Sequence, residues 1–487
     1  MATIESSTAL NRAAPGPLSG RPRIGWREPL LMLSLRTMQP TTYRELKLLR
    51  RLDRAPVAEI QALHDQRLTA LLRHAFEQTD YYREVLGDCG VVRDGKVDLT
   101  RFDTLPILTK EIIRSQRQRL RARTLPEGRK AFVNKTGGST GQQVEYDQDN
   151  YYWDINVATK LYHFEVLGKR LGDPELKVWG SVRDVSYETA EWRRRAANWL
   201  YNRRIVTCTE LSPPDIDRII DEINAFKPAT VWGYVDGLYT VATYITQHNR
   251  QLHAPVAVLS GGGTLLPTMV EPIQRAFSAP VINYYGSREM GDVACGCTEA
   301  DGLHISMNSH KVETLDPREK PVIEEDGDLI LTSLHNYAMP FIRYRIGDRG
   351  QLTRRACACG RPFPLLASVS GRTMEAFIRA DGRVISPLAF VRTVRVLAEP
   401  TLIDRLQFVQ ETHTHVLVRV VPAQGAASEA LQDRYELIRE RTKELMGQDC
   451  EVTFETVPTI PTTASGKYLY TISKVRPTGA GLEGFRN

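Results

Sequence analysis

Cysteine is scarce in this chain: seven residues in 487, an odd number. That is too few for a disulfide-built scaffold and suits a reducing compartment. Long apolar runs are missing as well. No stretch reaches the roughly 18 apolar residues that a membrane-spanning helix needs. A strong charge of one sign is also lacking. Lys and Arg total 64 against 58 Asp and Glu, a net charge of +6. The balance suits an anionic small substrate and makes no case for nucleic acid. The basic patches Arg193–Arg195 and Lys110 to Lys130 read as solvated helix faces. With 42% hydrophobic and 25% charged residues, a disordered or collagen-like chain is excluded. The length predicts two or three globular domains. The first residues carry Glu5 and Arg12 and no apolar core of signal-peptide type. Residues 1–23 therefore read as an extension, and the expected compartment is the cytoplasm.

From Pro40 to Arg83 leucines recur at three- and four-residue steps, predicting helix with a break near Pro56. Thr109 is placed to cap the helix that follows. Between Leu176 and Tyr285 short β-branched runs alternate with helical stretches. The runs are Lys177–Trp179, Arg204–Cys208, Thr230–Trp232, Val256–Leu259 and Val281–Tyr284. Pro214–Phe226 and Leu238–Asn249 are the clearest helices between them. This alternation predicts an α/β fold, with a parallel sheet and helices on its faces. Asp328–Ser333 and Phe341–Ile346 read as further strands. After Gly371 the texture becomes strand, helix, strand, strand, helix, strand, including a helix over Leu388–Leu397. The expected organisation is a large α/β domain over 24–371 and a small mobile α+β domain over 372–487, hinged near Arg372.

Thr136, Gly137, Gly138, Ser139, Thr140 and Gly141 form the most informative segment. The glycines let backbone N–H groups converge on an anion, and the hydroxyls add donors to phosphate oxygens. The Gly-Lys-Ser/Thr of the common mononucleotide loop is absent. Gly137-x-Ser139-x-Gly141 also matches the nucleophile elbow of an α/β-hydrolase, which needs a strand before it and a helix directly after. A plain structural turn is the third reading. Farther along, Asn283-Tyr284-Tyr285-Gly286-Ser287-Arg288-Glu289 closes a strand. Its aromatic turn suits stacking on a base and its carboxylate suits a metal. Asp348 emerges from a strand into a Gly turn, where a carboxylate suits ribose hydroxyls. Pro461 to Lys467 puts a lysine on a flexible loop, apt for holding a carboxylate against a phosphate. Cys297, His304, Cys357 and Cys359 have the donors of a closed tetrahedral zinc site, with Cys295 as a substitute; reduced surface thiols are the plain alternative.

In this order and separation the segments resemble the adenylate-forming superfamily, in its branch of phenylacetate–CoA ligases and capsule-cluster ligases. The resemblance covers roughly residues 45–475, and Leu105–Lys110 and Trp232–Tyr234 look typical of the branch. It implies a large adenylate-forming domain and a mobile C-terminal domain. It also implies ATP and Mg²⁺, an acyl-adenylate, and coenzyme A as acceptor. An amine acceptor, giving an amide ligase, and a non-catalytic nucleotide-binding homologue are the alternatives. Carried over by position, Thr136 to Gly141 hold phosphates. Gly262, Tyr284, Tyr285, Gly286 and Ser287 lie on the nucleotide, and Asp348 and Arg372 take the ribose. Glu289 binds Mg²⁺. Lys467 bridges the acyl carboxylate and the α-phosphate. Arg288 stands where the family has Thr, and its guanidinium still neutralises phosphate. Trp179, Trp232, Tyr234, Gly261 and Asn283 are expected around a mostly apolar or aryl acid, though such aromatics also serve as plain core. The branch further suggests zinc on the Cys/His set and a homodimer, with no nucleic acid and no membrane span.

Overall fold

The computed structural model describes residues 25–135, 144–179, 192–207, 213–265, 267–299, 302–372, 377–381, 384–385, 402–423, 426–460, 469 and 471–475. The chain opens with helices Arg27–Met38, Pro40–Leu52, Val57–Gln78 and Asp80–Asp88. The break near Pro56 is real: Pro56 is extended at φ −58° and ψ 143°, just ahead of the third helix. Thr79 caps the fourth helix by accepting from the Tyr82 N–H. Thr109 caps Lys110–Leu120 by accepting from the Ile112 N–H, as its position predicts. The leucine stripe Leu46, Leu49 and Leu52 packs against Ala158, Leu161 and Tyr162 of the helix Asn150–Val166.

An eleven-stranded sheet runs through the larger part of the molecule. One half is parallel and ordered Val281–Ser287, Ala257–Gly261, Thr230–Tyr234, Glu175–Trp179, Arg203–Thr207. The crossovers include helices Pro213–Phe226, Val235–Gln247 and Pro267–Phe277. Ile216, Ile219, Ile220 and Ile223 fall on one face of the first and are all buried under the sheet. On the opposite sheet face the helix Asn150–Val166 contributes Phe164, packed with Trp232, Leu259, Ile282 and Tyr284. The other half is antiparallel. From Val281–Ser287 outward it runs Gly291–Gly296, Leu303–Ile305, Leu365–Arg372, Tyr344–Thr353, Asp326–Ser333 and His310–Leu315.

The strand expected over Phe341–Ile346 begins only at Tyr344. Arg343 has a left-handed φ of 51°, which breaks the extended run. Its guanidinium turns inward to the Asp103 and Leu105 carbonyls. Toward the C-terminus a second core forms around Phe377, Phe408, Val418 and Ile438. Its sheet is ordered Glu451–Thr456, His415–Pro422, Ile403–Thr412, Thr471–Ser473, with helix Ser428–Met446 beside it. The expected helix Leu388–Leu397 lies outside the described residues. No helix of the described residues is long and apolar enough to cross a membrane.

Candidate active site

The glycine-rich residues 136–141 and Lys467 lie outside the described residues, but the flanks of the glycine segment are placed. Strand Ala131–Lys135 pairs antiparallel with Glu145–Asp149, and Lys135 is opposite Glu145. The segment therefore joins the two arms of a hairpin. A nucleophile elbow passes from strand straight into helix, so the hydrolase reading is overturned. Gln148 couples this hairpin to the Tyr285–Glu289 segment. Its amide donates to the Arg288 carbonyl at 3.0 Å and to the Glu289 carbonyl at 3.4 Å, while its oxygen accepts from Asn134 at 3.1 Å. The Tyr152 hydroxyl donates to the same Glu289 carbonyl at 3.2 Å. Asp149 caps the helix that carries Tyr152, accepting from its N–H. The Glu289 backbone is thus held from two sides, its side chain is buried, and no ion pair among the described residues holds its carboxylate.

Tyr285 and Asp348, 63 residues apart, meet directly: the phenol donates to Asp348 Oδ2 at 2.9 Å. Both are at least nine-tenths buried. Gly347, at φ 91°, makes the turn ahead of Asp348, and Asp348 is in register with the backbone of Arg372. Arg372 ends its strand; of its side chain nothing is described. Leu108, from the Leu105–Lys110 segment, donates to the Arg343 carbonyl and accepts from the Arg345 N–H, which ties that segment to the Asp348 strand.

The expected acyl residues also gather, at the carboxyl ends of the parallel strands. Trp179 lies 5.0 Å from Trp232 and 4.4 Å from Tyr234, centroid to centroid, and Trp232 lies 5.6 Å from Tyr284. Gly261 ends the adjacent strand, and Gly262, expected on the nucleotide, follows it. Gly262 is at φ 73°, and a Cβ there would fall 2.2 Å from the Tyr234 ring. Asn283 is opposite Ser260 in register and alternates with Ile282 and Tyr284, which pack beside Trp232. Beneath the aromatics the layer is charged. Lys177 Nζ lies 4.3 Å from the Trp179 centroid and 5.2 Å from that of Trp232. Lys160 Nζ lies 4.8 Å from Trp232 and 3.7 Å from Asp292. Deeper still, Glu175 pairs with Arg203 at 2.8 Å and Lys169 at 3.5 Å. Burial pushes the Glu175 carboxyl up, but Arg203 and Lys169 outweigh it and leave the group below its usual range. His163 sits between the Tyr284 hydroxyl and Ser306 Oγ, each at 3.4 Å. Burial, with like charges nearby, pushes its imidazole down to about 3, so it is neutral at pH 7.

The Cys/His set converges too. The ligand atoms of Cys297, His304, Cys357 and Cys359 all lie within 4.8 Å of one another. Cys297 and Cys357 sulfurs are 3.5 Å apart, and Cys359 Sγ is 3.3 Å from His304 Nε2. A tetrahedron with Zn–S near 2.3 Å has edges of about 3.8 Å, so the donors fit zinc. Cys295, the substitute ligand, is buried beside Tyr284 in the aromatic layer instead, with its thiol toward the Gly296 carbonyl. Gly360 supplies the left-handed residue of the knuckle at φ 73°. Burial pushes the Cys297 thiol up to about 12. Cys359 goes the other way, because hydrogen bonds from Arg361 and Cys357 overcome its burial. Arg54 donates to the Cys359 carbonyl, and Arg361 pairs with Asp53, so the knuckle is tied to the N-terminal helices.

Sequence reasoning missed Gln148, Tyr152, Lys160 and Lys177. A charged residue between Leu176 and Val178 in an apolar strand was a visible signal for Lys177; Gln148 offered none.

Residues 377–474 match the family described as the CapK C-terminal domain. Protein CapK of Staphylococcus aureus is 23% identical over 443 residues, covering 89% of this chain and 92% of CapK. Phenylacetate-coenzyme A ligase of Escherichia coli K12 is 27% identical over 342 residues, covering 67% of this chain and 74% of that enzyme. Among solved structures, 2-hydroxyisobutyryl-CoA ligase in its postadenylation state superposes with a TM-score of 0.69 at 20% identity, covering 87% of this chain and 92% of that one. The chain is therefore a homologue of CapK and of the phenylacetate–coenzyme A ligases, and it shares the fold of 2-hydroxyisobutyryl-CoA ligase.

Proposed function

We propose that this protein activates a carboxylic acid with ATP and passes the acyl group to coenzyme A. A carboxylate oxygen bonds to the α-phosphorus of ATP as the bond to the pyrophosphate oxygen breaks. The CoA thiol then attacks the acyl carbon of the adenylate, its proton goes to solvent, and AMP leaves. The first step brings two anions together, so the site must supply positive charge and fixed donors. In this reading Thr136 to Gly141 hold the β- and γ-phosphates, and Lys467 and Arg288 face the reacting oxygens. Tyr284 to Ser287 flank the adenine. Asp348 and Arg372 take the ribose, and Asp348 is oriented by its bond from Tyr285. Glu289, buried on a doubly tethered backbone, would hold Mg²⁺, which would neutralise phosphate charge. Cys297, His304, Cys357 and Cys359 would hold a structural zinc that fastens the knuckle at Gly360 to the N-terminal helices. Six free cysteines among the described residues suit a reducing cytoplasm.

The observation that carries this reading is convergence. Gln148 joins the glycine-loop hairpin to Arg288 and Glu289, while Tyr285 of the same segment reaches Asp348. Acid-dependent exchange of pyrophosphate into ATP tests the first step over a panel of aryl and aliphatic acids. Exchange with a cognate acid, lost in Lys467→Ala while ATP still binds, is expected. No exchange with any acid would refute activation. Mass spectrometry with CoA or with amines tests the second step; an amide without a thioester would reassign it.

A further inference from the structure

The wall of aromatics at the carboxyl ends of the parallel strands is not a purely apolar surface. Trp232 is 93% buried by its 7% exposure. Its indole Nε1–H has no hydrogen-bond acceptor among the described residues. Native proteins rarely leave such a donor unmet, because a buried polar hydrogen without a partner carries its full desolvation cost. The donor nitrogen lies beside Gly261. A Cβ built on Gly261 would lie 3.5 Å from Nε1 and 3.4 Å from the Tyr284 carbonyl, ordinary contact distances. Gly261 has no left-handed φ, so its backbone would admit alanine. The missing side chain leaves space beside the donor. The same ring is approached by Lys160 Nζ at 4.8 Å and Lys177 Nζ at 5.2 Å. Asp292 faces Lys160 at 3.7 Å, and Glu175 is paired with Arg203 and Lys169. A hydrocarbon placed here would leave the indole N–H unmet beside two ammonium groups. An oxygen would satisfy it.

We infer that the acid taken at this site carries, besides the carboxylate that is activated, an oxygen acceptor on its acyl or aryl part, and that Trp232 Nε1–H reads it. The acceptor is either a neutral hydroxyl or a second carboxylate. Trp232 is then a specificity-determining residue, with Lys160 and Lys177 favouring the oxygen electrostatically. The inference rests on the acid-activation reading above, and its test separates the two.

The probes are phenylacetates bearing methyl, hydroxyl or carboxylate at the same ring position, taken at the ortho, meta and para positions in turn. Acid binding to the full chain is read by calorimetry without ATP, and pyrophosphate release is read separately. At the productive position an oxygen-bearing acid should bind about tenfold or more tighter than its methyl isostere, since a missing partner for a buried donor is worth that much. The hydroxyl and carboxylate arms identify which oxygen is used. Trp232→Phe keeps a ring and removes the N–H, and should bring the two affinities to within about twofold by the same reasoning. Gly261→Ala fills the space with a contact the fold accepts, and should weaken the oxygen-bearing acid alone. Binding preference without turnover keeps the Trp232 assignment and refutes activation. Turnover without preference at any position refutes the assignment. Neither binding nor turnover by any member refutes both.

Discussion

Asp348→Asn isolates the ribose assignment. In the wild type one carboxylate oxygen accepts from the Tyr285 phenol at 2.9 Å. The other oxygen, and the remaining lone pairs, are what two ribose hydroxyls would use. Asparagine is isosteric, and its carbonyl oxygen can keep the Tyr285 bond. That orientation turns its amide nitrogen, a donor, toward the sugar. Two bonds to a charged acceptor are lost and weaker neutral ones replace them. A hydrogen bond to a charged group contributes about 1 kcal/mol more than a neutral one, so the pair amounts to about 2 kcal/mol. At about 1.4 kcal/mol per decade, the dissociation constant of ATP should rise about thirtyfold. Calorimetric titration of the variant with ATP and with AMP measures it. Both nucleotides should weaken alike, since they share the ribose, and the thermal transition should stay in place. An unchanged ATP affinity, or a loss confined to ATP, would refute the ribose role.

Two further outcomes follow from buried charge and from the cysteines. Glu175 is held ionised by Arg203 and Lys169, with its folded pKa below the ordinary carboxyl value. The stability it contributes is therefore present above that ordinary value and is lost as pH falls through the folded one. Glu175→Gln leaves buried Lys169 and half-buried Arg203 facing an amide and should cost about 3 kcal/mol by urea denaturation at pH 7. Its stability should also fall less steeply on the acid side, and a variant with wild-type stability and acid slope would show that the triad contributes nothing. For the Cys/His set, elemental analysis should find one zinc per chain. Chelation, or Cys357→Ser, should lower the thermal midpoint, because the knuckle at Gly360 would lose its tie. A zinc-free protein of unchanged stability in chelator would overturn the site.

The parallel half of the sheet was legible because its signals are local. Ile216, Ile219, Ile220 and Ile223 write one helix face at steps of three, one and three, and β-branched runs flank it. Thr109 and Pro56 announced a cap and a break for equally local reasons. The antiparallel half was mostly unreadable. Gly291–Gly296 is buried along nearly its whole length, so no in–out alternation marks it as a strand. The late start at Tyr344 depends on Arg343 reaching back some 240 residues to the Asp103 carbonyl, a distance no window spans. At the site, residue types with distinctive chemistry stood out: the glycine loop, Asp348 and the cysteine pairs. Gln148 did not, since an exposed-looking glutamine becomes a clasp only through a contact 140 residues away.

The place where the two halves of the sheet meet explains why these motifs lie together. Strand Val281–Ser287 bonds in parallel to Ala257–Gly261 on one edge and antiparallel to Gly291–Gly296 on the other. The parallel edge fixes its carboxyl end beside the carboxyl ends of its neighbours, where ligands enter open α/β sheets. The antiparallel edge forces the chain to reverse at once, through Arg288, Glu289 and Met290. That reversal is tight. A Cβ on Gly286 would fall 2.3 Å from the Gly291 carbonyl oxygen, and one on Gly291 would fall 2.0 Å from Asn156 Oδ1. Gly286 is therefore demanded by the backbone of the hairpin, before any nucleotide is considered. The same reversal leaves the Glu289 carbonyl within reach of Gln148 and Tyr152, and it presents the Tyr285 phenol to Asp348 on the antiparallel side. A change of strand direction at one position thus sets the Tyr285 ring, the buried Glu289 carboxylate and Arg288 on a single turn, with the Trp179, Trp232 and Tyr234 rings on its parallel flank.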